Sequence, residues 1–281
     1  MTDLGSGIDL IVLILVAFLP ALIYLAWVRR TERYGTEAWG PLLRAFAYGA
    51  LFATIVAAIL ETIIVYAGIT FTQSYPGPEF VFLNGNSPLG AFFLVLVIAP
   101  VVEEALKASG VAAFRSSFRQ LADGPVFGAS VGLGFGFFET FLYGVGAFLV
   151  GGLAAGLVLI LVRSVSSVLL HGSSTGMFGY GYARSGYRVP GPGSWSYYGV
   201  AVGMHASFNA LASLSAILVF VGISGFASDA AGYIALFAAI FFAFWAIEHV
   251  RSIIQASAYP ALLGTPPRYQ SSGAGRPPAR R

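Results

Sequence analysis

Residues 91–114 read AFFLVLVIAPVVEEALKASGVAAF, and this stretch decides the fold because it places two adjacent glutamates inside an apolar run. An apolar run of about 20 residues is long enough to cross a bilayer as a helix. A charged side chain inside such a run is costly, so Glu103 and Glu104 mark a candidate functional site. Glu139, His171 and His205 lie in apolar runs of the same kind further along the chain. The sequence therefore predicts a polar site inside a membrane-embedded helix bundle.

The composition is typical of a polytopic membrane protein. Of the 281 residues, 57% are hydrophobic and 10% are charged, and the mean hydropathy is +0.81. The chain has no cysteine, so a metal site would have to use Glu, Asp, His or Asn. The net charge of +3 comes from basic residues spread among short loops and a tail, which indicates membrane topology and no nucleic-acid partner.

Seven apolar segments reach the length of a membrane-spanning helix, and they predict an all-α bundle of about seven spans. Because basic residues in short loops stay in the cytoplasm, the alternation of basic and non-basic loops predicts an outside N-terminus and a cytoplasmic C-terminus. We expect one helical domain over residues 1–263 and a disordered basic cytoplasmic tail over residues 264–281, which has too little apolar surface to fold. The segments are residues 8–28, 41–68, 88–112, 124–147, 152–180, 197–222 and 230–250.

Helical spacing brings several of the polar residues together in pairs. Lys107 follows Glu103 by four residues and Glu104 by three, so it can offset one carboxylate and leave the other for chemistry. His205 and Asn209 are four residues apart and therefore share one helix face. These spacings leave one glutamate for chemistry and make His205 and Asn209 either a pair of donors or a ligand and its neighbour.

Helical rise gives the depth of each group. The Glu103-Glu104 pair and His205 come out about 12 Å from the cytoplasmic side, and Glu139 about 22 Å. His171 falls in the inner half of its segment. All of these groups could meet in one pocket that opens toward the cytoplasm.

Other residues of these segments are expected to have structural roles. Arg163 needs a buried partner, for which Glu61 or a site carboxylate would serve. Small residues at Gly128, Gly132 and Gly136 are spaced for close helix packing. Pro100 frees a backbone carbonyl just before the glutamate pair, which predicts a kink there.

These motifs resemble those of the PrsW proteases, within the wider superfamily of prenyl-protein (CAAX) endopeptidases and bacterial Abi-type membrane proteins. The CAAX branch has His where this chain has Glu139, which favours the PrsW branch. The resemblance implies a multi-helix intramembrane peptidase of a prokaryotic plasma membrane, acting on a membrane-anchored protein such as an anti-sigma factor. The motifs, in the family's order, are Glu103-Glu104-x-x-Lys107, Phe135-x-x-x-Glu139, His171 and His205-x-x-x-Asn209.

Two versions of peptide hydrolysis remain open at this point. In the first, Glu104 and Glu139 join His171 and His205 around Zn²⁺, which lowers the pKa of a bound water toward about 7. In the second no metal is bound, a glutamate of the pair is the general base, and His205 with Asn209 stabilises the oxyanion. The predicted catalytic residues are Glu103, Glu104, Glu139, His171, His205 and Asn209.

Two other classes of function compete with a protease. A catalytically silent membrane scaffold would fit, because the same superfamily resembles a non-proteolytic subunit of gamma-secretase. A proton-coupled transporter would use the buried acids and histidines as a relay. The sequence makes no prediction about the oligomeric state.

Overall fold

The computed structural model describes residues 4–32 and 36–257, with side chains from residue 7 onward, and the regular structure in this part is entirely helical. The predicted tail, residues 264–281, lies outside the described residues. The α-helices are α1 (Leu4–Arg29), α2 (Trp39–Ala47), α3 (Thr54–Ser74), α4 (Pro88–Phe93), α5 (Ala99–Ala113), α6 (Asp123–Ser164), α7 (Ser167–Gly186), α8 (Ser194–Ala212), α9 (Leu214–Phe220) and α10 (Phe226–Ser257). π-helical turns cover Tyr48–Ala53 and Leu94–Ile98, and 3₁₀ turns cover Pro78–Leu83 and Arg115–Ser117.

Several helices are long and apolar enough to cross a membrane. Five such stretches occur among the described residues, and α8 with α9, bent by 64°, would make a sixth. The prediction of an all-helical, multi-pass protein is confirmed, while the five or six candidate spans are fewer than the seven predicted. The five are Gly7–Arg29, Trp39–Ser74, Pro88–Ala113, Asp123–Gly186 and Phe226–Ser257.

Glycine governs the packing of α6 against α7. Gly152, with φ 75° and ψ −174°, is non-helical inside α6, a backbone conformation that suits glycine. A Cβ added at Gly128 would lie 2.3 Å from the carbonyl oxygen of Thr175, and one at Gly132 would lie 2.0 Å from that of His171. The chain reverses at Gly152, and the part of α6 before this residue runs antiparallel to α7 in backbone contact. This confirms the close packing predicted from the small residues.

The chain just before the glutamate pair departs from regular α-helix. Pro100 has no N–H to donate, and the preceding turn, Leu94–Ile98, is π-helical. The irregularity predicted at Pro100 thus takes the form of a widened turn. Such a turn alters the direction in which backbone carbonyls point, and one of these carbonyls contacts the site described below.

Large apolar side chains cover much of the outer surface. Tyr66, Phe237 and Phe241 are 72%, 72% and 73% exposed, and similar residues occur along α1, α3 and α10. In water such a surface would be unfavourable, whereas it suits a lipid environment. Many polar side chains of α5, α6, α7 and α8 are buried instead, among them Glu103, Glu104, Lys107, His171 and His205.

Candidate active site

A cavity of about 420 Å³ lies inside the bundle. Five of the six predicted catalytic residues line it, and the sixth, Glu104, is buried behind its wall. The five come from α5, α6, α7 and α8, so segments far apart in sequence converge as expected. They are Glu103, Glu139, His171, His205 and Asn209.

Glu139 on α6 holds the imidazole of His171 on α7. The Nε2 atom of His171 is 2.8 Å from Glu139 Oε2, and the same oxygen is 2.7 Å from Arg163 Nη2. Arg163 also donates to the hydroxyl of Ser167 at 2.9 Å. The guanidinium balances the carboxylate charge, which confirms that Arg163 pairs with a site carboxylate. The close packing at the glycines keeps α6 and α7 near enough for these contacts.

Lys107 is fully buried among the polar groups of the site. Its Nζ atom lies 2.8 Å from Glu104 Oε1, 3.4 Å from Glu103 Oε2 and 2.8 Å from His171 Nδ1. The predicted pairing of this lysine with the glutamates is confirmed. An ammonium group can only donate, so His171 Nδ1 accepts, and Nε2 carries the hydrogen that Glu139 accepts. The lysine and Glu139 thus fix one tautomer of His171.

Glu104 is surrounded by hydrogen-bond donors from α7 and α8. Its Oε1 atom accepts from Ser174 at 3.0 Å and lies 3.1 Å from His205 Nδ1. Its Oε2 atom accepts from Thr175 at 3.4 Å. Because His205 donates through Nδ1, its Nε2 lone pair is free to face Glu103. Glu104 therefore orients His205, while Glu103 is the glutamate that faces the cavity.

Three donor atoms from three helices converge at the wall of the cavity. Glu103 Oε2 lies 4.0 Å from His171 Nδ1 and 3.9 Å from His205 Nε2, and one donor from each residue lies within 4.8 Å of the other two. The imidazole rings are perpendicular, with centroids 4.8 Å apart. The sequence expected Glu104 and Glu139 beside the histidines as metal ligands; here they contact the imidazoles from outside, and Glu103 joins the group.

The group has the donor types that zinc prefers. Zinc ligands lie about 2.0–2.2 Å from the metal, so tetrahedral ligand atoms are about 3.3–3.6 Å apart. The distances from Glu103 Oε2 to the two imidazole nitrogens, 3.9 and 4.0 Å, are a few tenths of an ångström longer, so the ligands would have to close around the ion. Metal-bound histidines commonly have a carboxylate on their other nitrogen, as Glu139 and Glu104 provide. A metal at this point requires the Lys107 ammonium to leave His171 Nδ1 and remain with the carboxylates. The predicted metal remains a prediction.

Asn209 shares the α8 face of His205, as its spacing indicated. Its Nδ2 atom donates to the carbonyl oxygen of Val95 at 2.8 Å, within the π-helical turn before Pro100. The amide therefore connects α8 to the irregular segment that precedes the glutamates. Its predicted role as an oxyanion donor remains a prediction.

Two kinds of side chain around the site have roles that the sequence did not reveal. Glu61 on α3 lines the cavity, and its buried Oε1 atom has no hydrogen-bond partner among the described residues. The sequence shows Glu61 as an acid inside an apolar run, which predicts it only as a candidate partner of Arg163. Ser174 and Thr175 follow His171 in a cluster of small residues that gave no indication of contact with Glu104.

Comparison with known proteins identifies one family. The model of the family described as "PrsW family intramembrane metalloprotease" matches residues 37–246, which include every predicted site residue. "Protease PrsW" of Clostridioides difficile (strain 630) is 28% identical over 134 residues, which cover 47% of this chain and 50% of that protein. The match thus spans about half the length of that relative. No solved structure matches the chain significantly.

Proposed function

The chain belongs to the PrsW family, and from that premise we propose that it is an intramembrane protease that hydrolyses a peptide bond of a membrane-anchored protein near the cytoplasmic leaflet. The observation that carries the proposal is the carboxylate of Glu103, which faces the imidazoles of His171 and His205 at the wall of a cavity of about 420 Å³. Peptide hydrolysis needs an activated water and a stabilised oxyanion, and these groups can serve both needs.

In this proposal Glu103, His171 and His205 hold a zinc ion. When bound, zinc makes a coordinated water nucleophilic near neutral pH. Glu139 and Glu104 keep the two imidazoles in the required tautomers. These ligands differ from those predicted from the sequence, because Glu103 takes the place of Glu104 and Glu139 is no longer a ligand. Glu104 and Glu139 instead each contact the ring nitrogen of a histidine that points away from the metal position.

Without a metal, the same geometry supports acid–base chemistry by Glu103. Glu104 is occupied by Ser174, Thr175 and His205, so Glu103 is the glutamate of the pair that can take a proton from a water in the cavity. Asn209, whose amide has a second N–H beside the one donated to Val95, would then donate to the oxyanion. His205 would join it only as an imidazolium, because its neutral form carries its hydrogen on Nδ1 toward Glu104.

For the topology we propose seven spans, with the N-terminus outside and the C-terminus in the cytoplasm. This count takes residues 123–151 and 153–186 as two spans that reverse at Gly152, and α8 with α9 as one. The backbone of Gly152 and the glycine contacts of α6 with α7 support the reversal. Loops 69–87 and 223–225 contain no basic residue, which supports their location outside.

The substrate class and the wider kinship are also proposals. A buried cavity between helices suits a segment of another membrane-anchored protein, for which an anti-sigma factor is one candidate. Kinship with the CAAX and Abi proteins rests on the order of the four motifs. The prokaryotic plasma membrane is the proposed location.

The test is cleavage of a membrane-anchored substrate in liposomes containing the purified protein. We expect Glu103→Gln to lose at least about 100-fold in rate, since an acid–base or ligand role would be removed. The matched control is Glu79→Gln, at an exposed position in the loop between α3 and α4. Unchanged cleavage in both Glu103→Gln and Glu104→Gln would overturn the protease assignment and bring the scaffold forward.

Elemental analysis of the same preparations tests the metal. We expect about one zinc per chain in the wild type and none in His171→Ala or His205→Ala. Full activity of a metal-free protein in the presence of a chelator would rule out the zinc version and leave Glu103 as the general base.

A further inference from the structure

A second cluster of acids lies at the end of the bundle where α1 ends and α2 and α6 begin. Glu32 follows α1, Glu37 precedes α2, and Asp123 is the first residue of α6. Their exposed fractions are 6%, 3% and 0%, and one carboxylate oxygen of each lies within 4.8 Å of the others. None of the three lines the cavity of the candidate active site.

Among the described residues, few basic side chains pair with the carboxylates of this cluster. Arg119 pairs with Glu37, with Nη2 2.5 Å from Oε1. Arg29 donates instead to the backbone oxygen of Glu37 at 2.6 Å and to the hydroxyl of Thr36 at 3.1 Å. Within residues 4–32 and 36–257, Arg119 is the one side chain found in an ion pair with the three carboxylates. Among the described residues, the three carboxylates therefore have one guanidinium as an ion-pair partner.

One carboxylate oxygen of the cluster is buried without a hydrogen-bond donor among the described residues. Glu32 Oε2 accepts the backbone N–H of Glu37 at 2.7 Å, and Asp123 Oδ2 accepts those of Arg119 and Gln120 at 2.5 and 3.0 Å. The other oxygen of Glu32, Oε1, has no hydrogen-bond partner in the described part of the chain. The carboxylate of Asp123 also interacts with the side chain of Gln120. A buried carboxylate oxygen without a donor requires a cation or a proton.

The pKa of Glu32 shows that its ionised form is disfavoured by its surroundings. Burial raises the pKa of Glu32 to about 8, and the neighbouring charges of Asp123 and Glu37 add to the effect. The backbone N–H of Glu37 and the guanidinium of Arg119 act in the opposite direction but do not outweigh burial. A bound cation would add to the attraction that the described residues supply to these carboxylates.

We propose that Glu32, Glu37 and Asp123 form a second cation site, separate from the active site, that binds a hard divalent ion such as Ca²⁺ or Mg²⁺. All donors are carboxylate oxygens, which these ions prefer and which suit Zn²⁺ less well. Among the described residues, one guanidinium is paired with the three carboxylates, and a divalent cation would favour the ionised form of Glu32. The ion would tie the end of α1 to the starts of α2 and α6, and α6 carries Glu139.

The test is thermal unfolding of the full-length protein in detergent, after treatment with a chelator and then with Ca²⁺ or Mg²⁺. We expect a saturable rise in Tm of about 5 °C or more at 100 times the Kd. Glu32→Gln should lose the rise, because it removes a charge while keeping an acceptor for the N–H of Glu37. The matched control, Glu248→Gln, should keep it, since this carboxylate is largely exposed and pairs with Arg251.

A second measurement separates this site from the active site and covers the case of a variant that fails to fold. By equilibrium dialysis against Ca²⁺, we expect Glu32→Gln and Asp123→Asn to bind one ion fewer than the wild type, and His205→Ala to bind the same number. The result for Asp123→Asn is interpreted only if this variant folds. The result for Glu32→Gln is enough on its own to test the proposal. No saturable shift in the wild type with either ion, or an equal shift in Glu32→Gln, would overturn the proposal.

Discussion

Lys107→Met tests how the buried charges of the active site are balanced. The ammonium group contacts Glu104 at 2.8 Å and Glu103 at 3.4 Å, and the lysine side chain is 0% exposed. Methionine has a similar length and fills the same space, but it carries no charge. The substitution therefore leaves two carboxylates buried without their cation.

The magnitude follows from the burial. Removing one partner of a buried ion pair costs about 3–5 kcal/mol, because the remaining charge stays in a medium of low dielectric. The lost contact with the ring of Phe135, 4.2 Å from Nζ, adds a smaller amount. For a chain of this size, about 1 kcal/mol corresponds to about 2–4 °C in Tm, so we expect Lys107→Met to lower Tm by about 6–20 °C.

The assay is thermal unfolding in detergent, with Arg44→Met as the matched control because Arg44 is exposed on α2. The double variant Lys107→Met with Glu104→Gln removes one of the two stranded charges. We expect it to recover about 2 kcal/mol relative to Lys107→Met alone, which is a coupling typical of contacting residues. If Lys107→Met unfolds within about 2 °C of Arg44→Met, then the lysine is not what stabilises the glutamates, and the charge argument fails.

Three further substitutions test the packing and the polar contacts. Gly132→Ala should cost about 3 kcal/mol or more in unfolding free energy, because its Cβ would lie 2.0 Å from the backbone oxygen of His171, whereas Gly146→Ala, with no atom within 4 Å, should leave Tm unchanged or slightly raised. Glu139→Gln should weaken zinc binding about 10- to 100-fold by titration with a competing chelator, since His171 loses its charged partner, and unchanged affinity would refute that orienting role. Asn209→Ala should cost about 1–3 kcal/mol in unfolding free energy, because the backbone carbonyl of Val95 loses its donor at 2.8 Å. If the folded variant also loses more than about tenfold in cleavage rate, Asn209 has an oxyanion role in addition.

Much of the fold could be predicted because hydropathy and glycine spacing are local properties. The apolar runs gave the helices, and the small residues at Gly128 and Gly132 gave the packing of α6 against α7. The number of spans was less certain, because a break such as the 64° bend between α8 and α9 depends on contacts that the sequence does not display. The π-helical turn before Pro100 could be placed but its form could not.

The sequence could predict which residues lie together at the site, but not the role of each residue. Successive residues on a helix point about 100° apart. Glu103 and Glu104 must therefore face different surroundings, and the sequence cannot say which faces the cavity. The decision comes from α7, where Ser174 and Thr175 donate to Glu104 and leave Glu103 for the cavity. Such contacts join residues about 70 positions apart, beyond the reach of any local pattern.

Lys107 also gives the protein an internal reporter. It is the single lysine of the chain, so an amine-selective reagent has one side chain to modify apart from the amino terminus. With no surface exposed, that amine reacts only when the helices around it separate and admit solvent. The labelling rate of Lys107, read by mass spectrometry, would therefore report how often the helices around the candidate site separate.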